Sequence, residues 1–253
     1  MKSGFISIIG RPNVGKSTLL NGILGEKIAI ATSKPQTTRN TIRGIYTTGD
    51  CQMVFIDTPG IHKPKTKLGN FMTDSALNTF KEVDLVLFLV DDSLSQGPGD
   101  KYIVEMLKNI NTPKFLVINK MDKINPEDYE KIYNEYEQTG IFDEIFPVSA
   151  LEQKNIDILL ESIEKFMPEG PQYFPSDMIT DHPERFIVSE ILREKVLMFL
   201  EDEVPHGVAI EIESFQEEER VTRISAVVYC EKKSHKGIII GQGGRKLKGI
   251  GKS

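Results

Sequence analysis

The first two thirds of the chain alternate short apolar runs with amphipathic stretches. Residues 5–9, 52–56, 84–90, 114–118 and 144–147 read as strands. LVLFLV and KFLVIN are nearly unbroken apolar runs, as expected of parallel strands covered on both faces. Helical spacing fills the intervals at 18–24, 68–80, 100–109, 126–138 and 155–166. The alternation predicts an α/β fold with a doubly wound, mostly parallel sheet. Ligands of such sheets bind beyond the carboxyl ends of the strands.

The pattern changes after Met167. PEGPQYFPSDMITDHP is rich in proline and turn formers and has no period, so it reads as a linker. Residues 1–167 are thus expected to form one domain, 168–183 the linker and 184–253 a smaller α+β domain. In the latter, 185–203 has helical spacing and 208–213 alternates like a strand. A second strand is predicted at 221–229, with the acidic QEEE as a hairpin-like connection.

Composition narrows the class. A chain of 253 residues, 39% apolar and 27% charged, suits one or two globular domains. No apolar run is long enough to cross a bilayer and MKSGF lacks a signal-peptide core, so a cytoplasmic protein is expected. Cys51 and Cys230 read as free thiols of a reducing compartment. A net charge of −6 argues against a uniformly basic nucleic-acid binder. Yet residues 231–253 carry seven Lys/Arg against one Glu.

The chemistry begins at GRPNVGKS, between the first strand and the first helix. Gly10 and Gly15 let the backbone curl so that N–H groups point inward, and the helix start adds its dipole. Arg11, Pro12, Asn13, Val14 and Thr18 complete the expected phosphate site. Lys16 is placed to reach the outer phosphates and the Ser17 hydroxyl to ligate Mg²⁺. The bland alternative is a glycine-rich turn before an ordinary helix. A second GKS at 251–253 lacks the upstream glycine and reads as coincidence.

Each later strand also ends in a motif. DTPG (Asp57, Thr58, Pro59, Gly60) offers a carboxylate to hold Mg²⁺ through water and a glycine amide to sense a γ-phosphate. Alone it would read as a turn. NKMD supplies Asn119, Lys120 and Asp122. Asp122 presents two acceptors that match the N1–H and exocyclic amine of guanine, a donor pair adenine lacks. Leaving a buried carboxylate unpaired is costly, so adenine should be rejected. Ser149, Ala150 and Leu151 follow the last strand, where their amides are expected to meet the guanine O6.

In this order the motifs resemble the translation-factor class of GTPases. That resemblance implies GTP and GDP as ligands, switch I at QTTR, and Thr38, with Thr37 as alternative, ligating Mg²⁺ and the γ-phosphate. Where many GTPases have a water-orienting glutamine, this chain has Ile61, which cannot hydrogen-bond. Switch backbone groups, or a K⁺ ion held with the help of Asn13 as in related GTPases, are the candidates to replace it. Slow intrinsic turnover is expected. His62 reads as a solvated switch residue rather than a catalyst.

Ile238–Ile240 lead into Gly241, Gln242, Gly243 and Gly244, a GXXG loop flanked by Lys236, Arg245 and Lys246. Such a loop clamps single-stranded nucleic acid in KH domains. The bland alternative is a glycine turn with a solvated basic face. One GTPase domain followed by a type II KH domain resembles the Era family, over essentially the whole chain. That resemblance implies binding of the 3′ end of small-subunit ribosomal RNA, action in maturation of the small ribosomal subunit, and peripheral contact with the inner face of the cell membrane. A monomer is expected. A type II KH domain would continue past Ser253, so the second domain is expected to be incomplete. A double-GTPase assembly factor would need a second P-loop domain and lacks the GXXG. A non-catalytic RNA binder would bind RNA alike with GTP or GDP, and an ATP-dependent enzyme would not depend on Asp122.

Overall fold

The computed structural model describes residues 1–31, 41–58, 60, 82–200 and 208–253. Strands β1 (Lys2–Gly10), β2 (Ile42–Thr48), β3 (Cys51–Asp57), β4 (Leu85–Val90), β5 (Lys114–Ile118) and β6 (Glu144–Pro147) form one sheet in the order β2-β3-β1-β4-β5-β6. All neighbours run parallel except β2 and β3. Helices α1 (Lys16–Leu24), α2 (Pro98–Leu107), α3 (Pro126–Glu137) and α4 (Ile156–Phe166) cover it. The apolar run of β4 is buried throughout because it serves two cores. Leu85, Leu87 and Leu89 pack with α1 and α4, while Val86, Phe88 and Val90 pack with α2 and α3.

β2 is the one strand of this sheet that the apolar pattern does not announce. It lies at the edge, and Gly44 interrupts its apolar positions because α1 passes close by. A Cβ on Gly44 would come within 2.6 Å of Leu20 Cδ1. The helix expected at 68–80 lies outside the described residues. Cys51 and Cys230 are both free thiols.

The segment 168–183 is fastened along its length. The Ser3 amide donates to the Pro168 carbonyl (2.9 Å), and the Ser3 hydroxyl to that of Pro171 (2.7 Å). The buried Gln52 side chain accepts from the Tyr173 and Phe174 amides (2.8 and 3.0 Å) and donates to the Phe174 carbonyl (2.9 Å). The strap then runs beside β2. The Ile45 amide donates to the Ile179 carbonyl (2.8 Å), Arg43 pairs with Asp181 (2.7 Å), and His182 Nε2 lies 3.1 Å from the Thr41 carbonyl.

The strap leads into α5 (Glu184–Phe199), followed by the antiparallel hairpin β7 (Val208–Glu217) and β8 (Thr222–Cys230) and helices α6 (Lys233–Ile240) and α7 (Arg245–Ile250). β7 runs on through Gln216 and Glu217, so the turn is tighter than QEEE suggested; Glu218 N–H closes it on the Val221 carbonyl. Val196, Leu200, Val208, Ile239 and Ile250 form a small core of their own. Phe186 and Ile187 of α5 instead pack against the core of the large sheet.

Candidate functional site

The phosphate turn, DTPG, NKMD and SAL follow β1, β3, β5 and β6, so all four lie at one end of the sheet. Gly15 stands at φ 103°, a conformation costly for any residue with a Cβ, and its Cα faces Asn119, whose Nδ2 would lie 2.2 Å from an added Cβ. Asn119 is buried and acts as the joint. It donates to the Val14 carbonyl (2.8 Å) and accepts from the Ala150 amide (2.9 Å). Phosphate turn, base loop and last loop are thereby fixed to one another. Gly10 begins the turn, Pro12 packs on Gly60, and Thr18 follows in α1.

Lys16 is buried at the centre of the turn, donating to the Gly10 and Arg11 carbonyls (3.2 and 3.0 Å). Burial lowers its pKa to about 8, against the pull of Asp57. Asp57, also buried, accepts from the Ser17 hydroxyl at 2.7 Å. Burial raises its pKa to about 6, with Lys16 and Ser17 opposing. Its Oδ1 is buried with no hydrogen-bond partner. A carboxylate oxygen left in that state beside a hydroxyl fits a hard cation with oxygen ligands, so Ser17 and Asp57 suit Mg²⁺.

Thr58 is a staple to β1, its hydroxyl donating to the Ile8 carbonyl (2.9 Å). Gly60 meets Pro12 so closely that a Cβ would lie 2.8 Å from the Pro12 nitrogen. Thr37, Thr38, Pro59, Ile61 and His62 lie outside the described residues. Asn13 takes a left-handed conformation, φ 67°.

Two expectations for the base loop are corrected. Asp122 is exposed, not buried, and accepts from the Ser149 hydroxyl at 2.6 Å, a bond that lowers its pKa. The cost of an unpaired carboxylate therefore arises only once a base covers it. The Ser149 and Ala150 amides donate to the Lys154 carbonyl and to Asn119, so both are used within the loops rather than aimed at a base; Leu151 is exposed. Arg11, expected among the phosphate contacts, turns its side chain away to Asp91 and Asp100. Sequence spacing gave no signal of those partners, 80 and 89 residues distant.

In the smaller domain the GXXG loop joins α6 to α7. Gly241, Gly243 and Gly244 have φ of 71°, 60° and 76°, the left-handed region. Gln242, Gly243, Arg245 and Lys236 are exposed, and Lys246 packs under Gly241. Backbone and basic side chains thus share one open surface.

Comparison with known proteins agrees with this geometry. A family model described as 50S ribosome-binding GTPase matches residues 5–120, and one described as KH domain matches 203–253. The chain is 61% identical over 254 residues to GTPase Era of Alkaliphilus metalliredigens (strain QYMF), covering 100% of this chain and 86% of the relative. It is 58% identical over 255 residues to GTPase Era of Clostridioides difficile (strain 630), with coverage of 100% and 86%. A crystal structure of an Aquifex aeolicus Era variant bound to GDP·AlF4⁻ is similar, with TM-score 0.91, 39% identity and coverage of 100% and 87%. So is a crystal structure of Era in complex with MgGDPNP and nucleotides 1506–1542 of 16S ribosomal RNA, with TM-score 0.91, 39% identity and coverage of 100% and 86%.

Proposed function

The chain belongs to the Era family of GTPases, and on that footing we propose that it is a GTP-hydrolysing switch coupled to an RNA clamp. It binds the 3′ end of small-subunit ribosomal RNA and acts in maturation of the small ribosomal subunit. The observation that carries the nucleotide half is the joint at Asn119, which holds the phosphate turn and the base loop together. The open GXXG surface and the Era complex with 16S ribosomal RNA support the other half. The boundaries 1–167, 168–183 and 184–253 belong to this proposal.

Lys16 exchanges its two turn carbonyls for phosphate oxygens when nucleotide enters. Gly10 to Thr18 supply the surrounding backbone, and Thr38 and Gly60 meet the γ-phosphate. Asp122 accepts from the guanine edge, with Asn119 and Lys120 framing it and the Leu151 amide as the SAL donor not engaged by a described bond. Ser17 and Asp57, the latter through water, would hold Mg²⁺, together with Thr38. The ion supplies charge neutralisation at the β- and γ-oxygens.

Turnover is slow without help because Ile61 replaces the water-orienting glutamine, and K⁺, which Asn13 would help to hold, would supply charge that offsets part of that loss. The chain acts as a monomer. Peripheral contact with the inner face of the cell membrane rests on the family resemblance alone. Among the described residues no helix is long and apolar enough to cross a membrane.

Contacts on either side of residues 32–40 support coupling between the halves. The chain enters 32–40 from Ala31, whose amide donates to the buried Glu194 of α5 (3.0 Å). Lys27 pairs with the same carboxylate. The chain returns at Thr41, beside His182 of the strap. The strap and α5 therefore hold both flanks of the switch I segment.

Competition of GTP, XTP and ATP on wild type and Asp122→Asn tests the base reading. GTP should win on wild type and XTP should gain on the variant; equal acceptance of ATP by wild type would refute it. Titration of the ribosomal RNA 3′ end with GTP- and GDP-loaded protein tests the clamp. Equal affinities in the two states would favour a non-switching RNA binder.

A further inference from the structure

Arg11 is held by acids rather than offered to a ligand. Its Nε donates to Asp100 Oδ1 at 2.7 Å and its Nη2 to Asp91 Oδ1 at 2.9 Å. Asp100 is fully buried at the start of α2, where its other oxygen accepts from the Gly97 amide (3.1 Å). Gly99 leaves the room for this docking, since an added Cβ would meet Arg11 Cδ at 2.9 Å. The two oxygens of Asp91 face different loops. Oδ1 takes Arg11 of the phosphate turn and the Ser93 hydroxyl (2.7 Å), and Oδ2 takes Lys120 of the base loop at 3.2 Å. Lys120 also lies 3.4 Å from the more exposed Asp92. Lys120 stands at φ 65°, a strained backbone for a lysine, so its side chain needs something to hold it in place.

Charge decides the meaning. Two cations and the two carboxylates Asp91 and Asp100 nearly cancel, so Arg11 adds little attraction for a phosphate. What remains is geometry: charge-assisted bonds from a planar fork fix direction as well as distance. We propose that Asp91 is a positioning residue for nucleotide binding, one carboxylate that sets the phosphate turn through Arg11 and the base loop through Lys120. This rests on the nucleotide reading above and identifies a second joint beside Asn119, on the outer side of the same two loops.

The test measures GDP and GTP affinity, and steady-state turnover, for the full chain with Asp91→Asn, Arg11→Ala and the double variant. Each single variant should weaken nucleotide binding about tenfold, the effect of losing a charge-assisted bond. KM for GTP should rise by the same factor while kcat stays within about threefold, because the reacting groups are untouched. The double variant should lose no more than about threefold beyond the worse single variant, since both cut one path. Affinity unchanged in Asp91→Asn, fully additive losses, or a fall in kcat at constant KM would overturn the proposal. Should Asp91→Asn fail to fold, Ser93→Ala reads the same carboxylate: a two- to threefold loss is expected, and none would overturn it. Wild-type preference for GTP over ATP, measured alongside, reports on the nucleotide reading independently.

Discussion

Lys16 and Asp57 are both buried where ionisation is unfavourable, and each is shifted toward its neutral form. The signs follow from linkage. Asp57, raised to about 6, contributes stability present below its ordinary value and lost as pH rises through about 6. Lys16, lowered to about 8, contributes stability present above its ordinary value and lost as pH falls through about 8. Near neutral pH the ligand-free site is therefore the less stable for carrying both charges, and on the proposed function phosphate and Mg²⁺ would relieve it. Asp57→Asn should raise the melting temperature of the ligand-free protein by a few degrees while abolishing the Mg²⁺ dependence of GTP binding. Thermal scans with and without Mg²⁺ check both. Nucleotide affinity of the wild type should fall as pH rises above about 8, where Lys16 loses its proton; a flat titration from 7 to 9.5 would contradict this. The identities of these residues were legible from their motifs, but their partners were not. Asp122 was expected to be buried because a base-reading carboxylate is buried when bound, and the chain alone leaves it in solvent.

At the level of elements, legibility followed burial. The limits of β5 coincide with its apolar run because every one of its residues is buried and turn formers bound it. β2 escaped because Gly44 breaks its period. α5 was legible as a helix, yet its double allegiance was not. Phe186 and Ile187 serve the first core, Val196 serves the second, and Glu194 accepts from the Ala31 amide of the large domain. Helical spacing marks apolar positions without saying which core they join. Removing the Glu194 carboxylate leaves the Ala31 amide without this acceptor, a cost of about 1–3 kcal/mol. Glu194→Ala should lower the melting temperature and shrink the difference in RNA affinity between GTP- and GDP-loaded protein. An unchanged difference, measured by RNA titration, would place the coupling elsewhere.

For the molecule as a whole, coupling between nucleotide and RNA must be reciprocal. If GTP raises RNA affinity by some factor, RNA raises GTP affinity by the same factor. Measuring both arms of that cycle with a non-hydrolysable GTP analogue gives the coupling twice over, and a factor of one in both arms would mean that nucleotide and RNA bind independently. The linker composition was legible in 168–183, but its attachment was not, because proline and turn formers describe a backbone without saying what it lies against.

That attachment has one more consequence. The outer side of β2 is a sheet margin, and such margins recruit strands from other chains unless something blunts them. Here the Ile45 amide is taken by Ile179, and Arg43 and Asp181 place opposite charges along the same side. A fragment ending at 167 would bare that margin and take from Gln52 its partners at Tyr173 and Phe174, whereas one ending at 183 would keep both covered. The shorter fragment should self-associate in light scattering at concentrations where the longer stays dispersed. The piece of chain that looked like a tether thus also serves as a guard against aggregation.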